Sequence, residues 1–246
     1  MMRVVRGVRP DAMGYHSAFG CESHAGRVRD NNQDAAKSAA DLGLWIVADG
    51  MGGEAAGEVA SRLAVDEIET AIRSGDPLPD AVARAHRSIR AAPARGFGSA
   101  GMGSTVVVLK LHSHRYEIAW VGDSRVYLLR RGVLTQLTRD HSLVQDLLES
   151  GAISVIEAQA HPHRNIITRV LGGDAEPVID QCSGRVDAGD LFLLCSDGLN
   201  NEIDDARIRD LLTAAKGPEA AAADLVAAAV EAGGRDNISA MVVAVD

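Results

Sequence analysis

Aromatic residues, cysteines and basic residues are all scarce in this chain of 246 residues. Only 3% of the residues are aromatic whereas 46% are hydrophobic, so aliphatic side chains must fill the interior. Cys21, Cys182 and Cys195 are too few for a disulfide framework, which favours a reducing compartment and makes the cytoplasm the expected location. The formal net charge of -9 argues against a nucleic-acid or anionic-membrane partner, because both need a basic face.

Long apolar runs, interdomain linkers and repeats are also missing from the sequence. No stretch approaches the ~20 apolar residues of a membrane helix. The first ten residues carry an arginine at every third position and have no apolar core, which excludes a secretory signal. Without a Ser/Gly linker or an internal repeat, we expect a single domain over residues 1–246, with residues 1–13 as an N-terminal extension.

The hydrophobic patterns predict interleaved helices and strands. Helices are expected from residue 54, at 78–92 before Pro93, at 143–148, at 206–215 and at 218–232. Strands are expected at 44–48, 105–111, 116–121, 126–130, 133–137, 178–186, 190–195 and 238–245, with a further alternating strand around Cys21. Short turns between residues 105 and 137 favour one antiparallel meander. The whole pattern indicates an α+β layered domain with antiparallel sheets.

Four acidic segments stand at predicted strand ends or turns, at residues 29–34, 49–53, 197–201 and 234–237. Carboxylates that converge without a counter-ion repel and raise one another's pKa, and divalent cations relieve that repulsion. All the candidate ligands are oxygens, which favours Mg or Mn over Zn. The sequence therefore predicts a site for divalent metal ions.

Six ordered segments resemble the metal-dependent protein phosphatases (PPM, type 2C), in their bacterial serine/threonine branch. The likeness extends over about residues 17–245. The segments are Arg29 with Asn32-Gln33-Asp34, Asp49-Gly50-Met51-Gly52-Gly53, Gly103-Ser104-Thr105, Val121-Gly122-Asp123-Ser124-Arg125, Ser196-Asp197-Gly198-Leu199 and Gly234-Arg235-Asp236-Asn237. The resemblance implies a four-layer α-β-β-α sandwich, with two central antiparallel sheets flanked by helices and a binuclear Mn or Mg centre at one end.

The resemblance assigns the metal ligands motif by motif. Asp49 is expected to bridge both ions, and the Gly50 carbonyl to bind one of them. Asp197 and Asp236 are expected to hold the other ion. Asp123 is a candidate for a third, weaker ion shared with Asp197, although it could equally cap a turn after its strand.

The remaining site residues follow from the same resemblance. Asp34 is expected to act largely through metal-bound water, and Asn237 to support the ligands without touching the ions. Arg29 is expected to grip the substrate phosphate, a task that suits a bidentate guanidinium. The catalytic residues are thus Arg29, Asp34 and Asp49.

The implied reaction is hydrolysis of phosphoserine and phosphothreonine in proteins. Two metal ions ~3.5–4 Å apart lower the pKa of a bridging water, and the resulting hydroxide attacks phosphorus in line. The expected partners are phosphorylated proteins and a bacterial Ser/Thr kinase that the enzyme opposes. We expect a monomer.

Two positions depart from the family pattern. Met51 stands where some members have a histidine proposed to protonate the leaving oxygen, and a thioether cannot donate a proton, so the general acid is unassigned. Glu54 replaces a histidine common in bacterial members. The segment at residues 139–171, here called the flap, varies in this family and lies near the site, so we expect it to influence substrate choice.

Two alternatives remain open at this point. Cys21 and Arg27 match the C-x5-R spacing of thiol phosphatases, although Gly20 and Val28 do not fit that loop. The chain could also be a catalytically silent module that keeps the fold for binding or regulation. Such modules usually lack the metal carboxylates, which are present here.

Overall fold

A computed structural model describes residues 16–53, 56–159 and 161–246 of the chain. Its strands are β1 (Ser17–His24), β2 (Asp34–Ala39), β3 (Leu44–Met51), β4 (Gly103–Ser104), β5 (Val106–His112), β6 (Arg115–Val121), β7 (Arg125–Arg130), β8 (Val133–Gln136), β9 (Asp180–Arg185), β10 (Leu191–Cys195) and β11 (Ile238–Val245). Its α-helices are α1 (Ala56–Arg73), α2 (Leu78–Ala91), α3 (Leu143–Glu149), α4 (Val155–Gln159), α5 (Asp197–Asn200), α6 (Asp205–Ala214) and α7 (Pro218–Ala232).

The strands form two antiparallel sheets. One sheet has the order β1-β11-β10-β7-β8, and the other has the order β2-β3-β5-β6-β9 with β4 paired to β3. Strand β3 shows how the sheets pack, because its side chains alternate between two faces. Leu44 and Ile46 pack in a cluster with α1 and α2, whereas Trp45 and Val47 pack in a cluster with the other sheet.

A third apolar cluster joins the five-stranded sheet to α6 and α7, through residues such as Leu193 and Leu225. The layers are therefore helix, sheet, sheet and helix, which confirms the expected four-layer fold. Pro218 at the start of α7 and Gly233 after its end account for the sharp bounds of that helix. A Cβ at Gly20 would lie 2.3 Å from the backbone of Glu219, so glycine in β1 lets the first turn of α7 pack closely.

The expectation of one meander between residues 105 and 137 is wrong. The β5–β6 hairpin belongs to the six-stranded sheet, whereas β7 and β8 belong to the other sheet. The chain crosses between the sheets at Gly122, Asp123 and Ser124. Gly122 has a φ of 108°, and a Cβ there would lie 2.5 Å from Thr105 Cβ, so only glycine fits this crossing.

Other elements were not expected from the sequence. Strand β2 is rich in alanine, and the short helices α4 and α5 fall in segments with turn-like sequences. Within the flap, an isolated bridge joins Ser142 to Ile167. The predicted extension at residues 1–13 and the substituted Glu54 lie outside the described residues. No helix in the described ranges has the length and apolar character needed to span a membrane.

Candidate active site

One open cavity of about 780 Å³ brings the predicted site residues together. Asp49 reaches it from the end of β3, Asp197 from the start of α5 after β10, and Asp236 from the loop before β11. Gly50 and Arg29 also line this cavity. Three acidic residues that are far apart in the sequence thus meet at one end of the sandwich, as the sequence predicts.

Asp34 lies behind this cavity and is held by two serines. It is the cross-strand neighbour of Asp49 in the β2–β3 pair. The hydroxyls of Ser196 and Ser239 both donate to Asp34 Oδ2 at 2.7 Å, whereas the buried Oδ1 has no hydrogen-bond partner within the described ranges. Burial raises the pKa of Asp34 to about 7, although the two hydroxyl bonds oppose the shift.

Asp49 and Asp197 both line the cavity, and a hydrogen bond joins their side chains. Burial, with repulsion from Asp34 and Asp197, raises the pKa of Asp49 well above its usual value. Burial and repulsion from Asp236 raise the pKa of Asp197 to about 6, while Asn201 Nδ2 donates to its Oδ2 at 3.0 Å. The shared cause is a group of carboxylates drawn out of water and toward one another.

Asp123 lies beside Asp197 in the wall of a second cavity. That cavity, of about 810 Å³, runs between the flap and the segment that contains α5 and the start of α6, and both aspartates line it. Asp123 is buried, and its Oδ1 has no hydrogen-bond partner among the described residues. Burial and the charge of Asp197 raise its pKa. The structure thus brings Asp123 and Asp197, the two candidate ligands of a third ion, to the same cavity.

Arg29 is bound to a candidate metal ligand. Its Nε and Nη2 donate to both oxygens of Asp236, at 2.9 and 2.8 Å. The Arg29 side chain is 55% exposed, so solvent and a phosphate group can reach the guanidinium. The predicted phosphate-binding arginine therefore stands at the cavity, with the Nε–Nη2 edge of its guanidinium bound to Asp236.

Asn237 joins two loops beside the cavity. Its Oδ1 accepts from Gln33 N at 2.8 Å, and its Nδ2 donates to the carbonyls of Ala25 and Asn31. It thus ties the loop before β2 to the loop before β11. A Cβ at Gly198 would lie 2.0 Å from Asn237 O, so the glycine of the Ser-Asp-Gly segment is needed for close backbone approach.

The donor set of this cavity fits divalent cations. Four aspartates have raised pKa values, two buried carboxylate oxygens lack partners, and every candidate ligand is an oxygen. Within the described ranges, no group of three or more His, Cys, Asp or Glu side chains is arranged so that it could already hold a metal ion. Asp236 is instead bonded to Arg29, and Asp34 to serine hydroxyls, so the acidic side chains must adjust when cations bind.

The sequence did not reveal the roles of two kinds of site residue, the serines that bind Asp34 and the threonine that binds the backbone of Asp49. Ser239 was not singled out, and Ser196 was noted only as part of a motif, yet both hold Asp34. Thr105 donates its backbone N–H to the carbonyl of Asp49 at 2.8 Å and accepts from Asp49 N through its hydroxyl at 3.1 Å. Only the position of Ser196 and Thr105 inside acidic or glycine-rich motifs could have signalled these roles.

The thiol alternative does not fit the structure. Cys21 lies within β1, opposite Met241 of β11, and not in a phosphate-binding loop. Burial raises the pKa of its thiol to about 12, so the sulfur stays protonated near neutral pH.

Comparison with known proteins agrees with the site. The sequence profile of the family described as protein phosphatase 2C matches residues 22–228. The serine/threonine protein phosphatase PstP of Mycobacterium tuberculosis is 40% identical over 231 residues, which cover 91% of this chain and 44% of that relative. The serine/threonine phosphatase stp of Listeria monocytogenes is 35% identical over 247 residues, which cover 93% of this chain and 95% of that relative.

A solved structure shows the same architecture. The catalytic domain of PstP in complex with two manganese ions matches with a TM-score of 0.82 and 34% identity, covering 93% of this chain and 98% of that one. This chain spans less than half the length of the full M. tuberculosis relative. The fold and the resemblance expected from the sequence are confirmed, and the chain belongs to the protein phosphatase 2C family.

Proposed function

We propose that this chain is a metal-dependent protein phosphatase that hydrolyses phosphoserine and phosphothreonine in proteins. The observation that carries the proposal is the meeting of Asp49, Asp197 and Asp236 with Arg29 around one cavity. The relatives named as serine/threonine phosphatases support the same reaction. The four aspartates with raised pKa values argue against a silent binding module, because carboxylates without an ion-pair partner are costly to draw out of water.

Two Mn or Mg ions are the proposed cofactors. Asp49, Asp197, Asp236 and the Gly50 carbonyl would hold them, and Asp123 with Asp197 would hold a third, weaker ion. When bound, the ions supply Lewis acidity that acidifies water and neutralises phosphoryl charge. The structure with two manganese ions belongs to a relative and supports this choice of metal.

The protein's own groups bind and orient the reactants. Arg29 exchanges its two bonds with Asp236 for two bonds to phosphate oxygens, which places the phosphoryl group at the mouth of the cavity. Asp34, fixed through Oδ2 by Ser196 and Ser239, keeps Oδ1 as an acceptor that can orient a water molecule. Met51 stands at the rim, 43% exposed, and cannot protonate the leaving oxygen, so no side chain is assigned that task.

The wider biological setting follows from the proposed activity. Phosphorylated proteins are the proposed substrates, and a bacterial Ser/Thr kinase is the proposed counterpart. The free cysteines support action in the cytoplasm, as a monomer with one domain over residues 1–246. The flap at residues 139–171 forms one wall of the second cavity beside Asp197, which supports an influence on substrate choice.

Phosphate release from synthetic phosphoserine and phosphothreonine peptides tests the proposal. We expect turnover with Mn²⁺, loss of turnover with EDTA, and recovery when Mn²⁺ is returned. A pure protein that binds Mn²⁺ but releases no phosphate from any peptide or from p-nitrophenyl phosphate would establish the silent module instead.

A further inference from the structure

The imidazole of His141 lies at the base of the flap and is fully buried. Its ring stacks on Trp120, with ring centroids 6.3 Å apart and planes inclined by 23°. No acidic or glycine-rich motif marks this residue. Its contacts nevertheless connect the flap with the crossing that carries Asp123.

The ring has a different partner at each nitrogen. Gly122 N donates to His141 Nδ1 at 3.1 Å, so Nδ1 is the unprotonated acceptor and Nε2 carries the ring proton. Nε2 lies 3.3 Å from Asp180 Oδ2, to which it donates, and 3.1 Å from Arg169 Nη1. Asp180 Oδ1 in turn accepts from Arg169 Nη1 at 3.0 Å. Burial and the charge of Arg169 lower the pKa of His141, which keeps the ring neutral.

The backbone of His141 also connects Gly122 with the flap. His141 N donates to Gly122 O at 3.0 Å, and Thr168 N from the far end of the flap donates to His141 O at 2.8 Å. Both polar groups of Gly122 are therefore bonded to His141. The other support of this crossing is Thr105, whose hydroxyl lies 2.7 Å from Ser124 Oγ.

Asp123 follows Gly122 directly, and its buried Oδ1 has no hydrogen-bond partner in the described ranges. The position of the Asp123 carboxylate therefore depends on the backbone on either side of the residue, because no hydrogen bond from the described residues to Oδ1 holds it there. Thr105 fixes one side of this backbone, and His141 fixes the other. A shift of the flap moves His141 and therefore changes where Asp123 points.

We propose that His141 is a positioning residue that couples the placement of the flap to Asp123, and that it acts through its Nδ1 bond to Gly122. The inference rests on the phosphatase function proposed above for its kinetic consequences. Its structural core, the coupling of the flap to the 122–124 crossing, does not depend on turnover.

Two substitutions test the Nδ1 and Nε2 positions of the His141 ring separately. An asparagine side chain can place an acceptor near the position of Nδ1, whereas glutamine reaches the position of Nε2. We expect His141→Asn to keep the bond to Gly122 and to retain kcat/KM on a phosphopeptide within ~3-fold. We expect His141→Gln to lose that bond and to lower kcat/KM roughly 10-fold, as small displacements of a reacting group do.

Hydrogen exchange of the metal-free protein provides a readout that needs neither substrate nor cation. His141→Gln should speed amide exchange in residues 120–126, and His141→Asn should not. Asp180→Asn leaves the ring intact and weakens only its Nε2 end, so it should speed exchange in residues 166–171 and leave 120–126 unchanged. If 120–126 exchange equally in all three variants and in the natural protein, the coupling does not exist.

His86 offers a matched control. It is also fully buried, and it lies on α2, where its Nδ1 accepts from Gly172 N, just after the flap, at 3.1 Å and not from the Asp123 crossing. His86→Gln should lower Tm about as much as His141→Gln while leaving exchange in 120–126 unchanged. A purely structural role for His141 would make the two variants indistinguishable.

A double-mutant cycle tests whether His141 acts through Asp123. If it does, His141→Gln combined with Asp123→Asn should lower kcat/KM no further than Asp123→Asn alone. Losses that multiply would overturn the proposal. Should the natural protein release no phosphate, the proposed function fails, and the exchange measurement alone still decides the coupling.

Discussion

Carboxylates partly or fully withdrawn from solvent occur in two settings in this molecule, and the difference between them shows where function resides. Asp190, with a side chain 1% exposed, accepts from Arg130 Nε and Nη2 at 2.7 and 2.6 Å and from Asp187 N at 2.8 Å. Glu202, 2% exposed, is bound in the same way by Arg235. At both positions an arginine of the chain supplies the positive charge that balances the carboxylate.

The site at the end of the sandwich lacks this arrangement. Asp34, Asp49, Asp123 and Asp197 show no ion pair with Arg or Lys within the described ranges, and their pKa values are raised. Only Asp236 has an arginine partner, and Arg29 is the residue proposed to leave for the substrate. The comparison indicates that the missing positive charge is supplied from outside the chain.

The largest expected effect comes from Asp49→Asn. Removing the proposed bridging ligand should lower Mn²⁺-dependent phosphate release by ~10³-fold or more, because metal activation of the nucleophile is lost. The same change removes repulsion, so Tm of the metal-free protein at pH 8 should rise by roughly 2–5 °C. Phosphate release measures the first effect and calorimetry with EDTA the second. A fall in the metal-free Tm would contradict the comparison.

Arg29→Lys should have the next largest effect. Lysine keeps the charge but cannot make two parallel bonds, so kcat/KM for a phosphopeptide should fall roughly 10- to 100-fold. Arg62, which is exposed and pairs with Glu58 on α1, is the matched control. If Arg62→Lys lowers kcat/KM as much as Arg29→Lys does, Arg29 has no special role in phosphate binding.

Asp190→Asn sharpens the comparison from the other side. Breaking this ion pair leaves Arg130 with a longer contact to Asp187, at 3.7 Å, and should cost about 3 kcal/mol of stability. Thermal and urea unfolding measure this loss. Turnover per folded molecule should remain within ~2-fold of the natural protein, since Asp190 does not line either cavity. A loss of activity with unchanged stability would contradict the comparison, because Asp190 would then behave as Asp49 is expected to behave.

The stability of the metal-free protein should fall as the pH rises from 5 to 8. The folded pKa values of Asp197, about 6, and Asp34, about 7, exceed the ordinary aspartate value of 3.8, so the fold favours the protonated carboxyls. This contribution is complete below about pH 4 and is lost as the pH passes through the folded values. Tm should drop by roughly 5 °C over this range, and Mn²⁺ should abolish most of the drop. A metal-free Tm that rises toward pH 8 would show that the site carboxylates are already ionised in the fold.

Cys21→Ser should have the smallest effect. Its thiol has a pKa of about 12 and lies in a strand, so phosphate release from p-nitrophenyl phosphate should change by less than ~2-fold. Inactivation by this substitution, together with activity in EDTA, would restore the thiol mechanism.

The sequence predicted regular elements best where their ends are marked. Helix α7 and strand β11 have the expected bounds, because Pro218 begins the helix and Gly233 follows it. Strand β2 was missed because Ala35, Ala36 and Ala39 have little strand preference, and pairing with β3 alone makes the segment extended. The prediction of one meander was wrong because no local feature of the sequence shows that β7 leaves the sheet that contains β6.

Within the site, residue types were easier to predict than their bonds. Asp49, Asp197 and Asp236 could be expected to converge, because each stands next to a strand end in an Asp-Gly or Asp-Asn segment. The serine bonds to Asp34 and the pairing of Arg29 with Asp236 depend on the register of distant strands. His141 has no motif, and its role emerges only from the packing of the flap.

Calorimetric titration of the metal-free protein with Mn²⁺ at pH 6.5, repeated in buffers of different ionisation enthalpy, tests the central claim most directly. We predict that at least two ions bind with release of protons, because pKa values of about 7 for Asp34 and about 6 for Asp197 leave both partly protonated at this pH, and both must ionise. Asp49→Asn should remove most of the heat, and Asp190→Asn should leave it unchanged. Absence of saturable Mn²⁺ binding, or binding without proton release, would contradict the conclusion that these buried carboxylates await external cations.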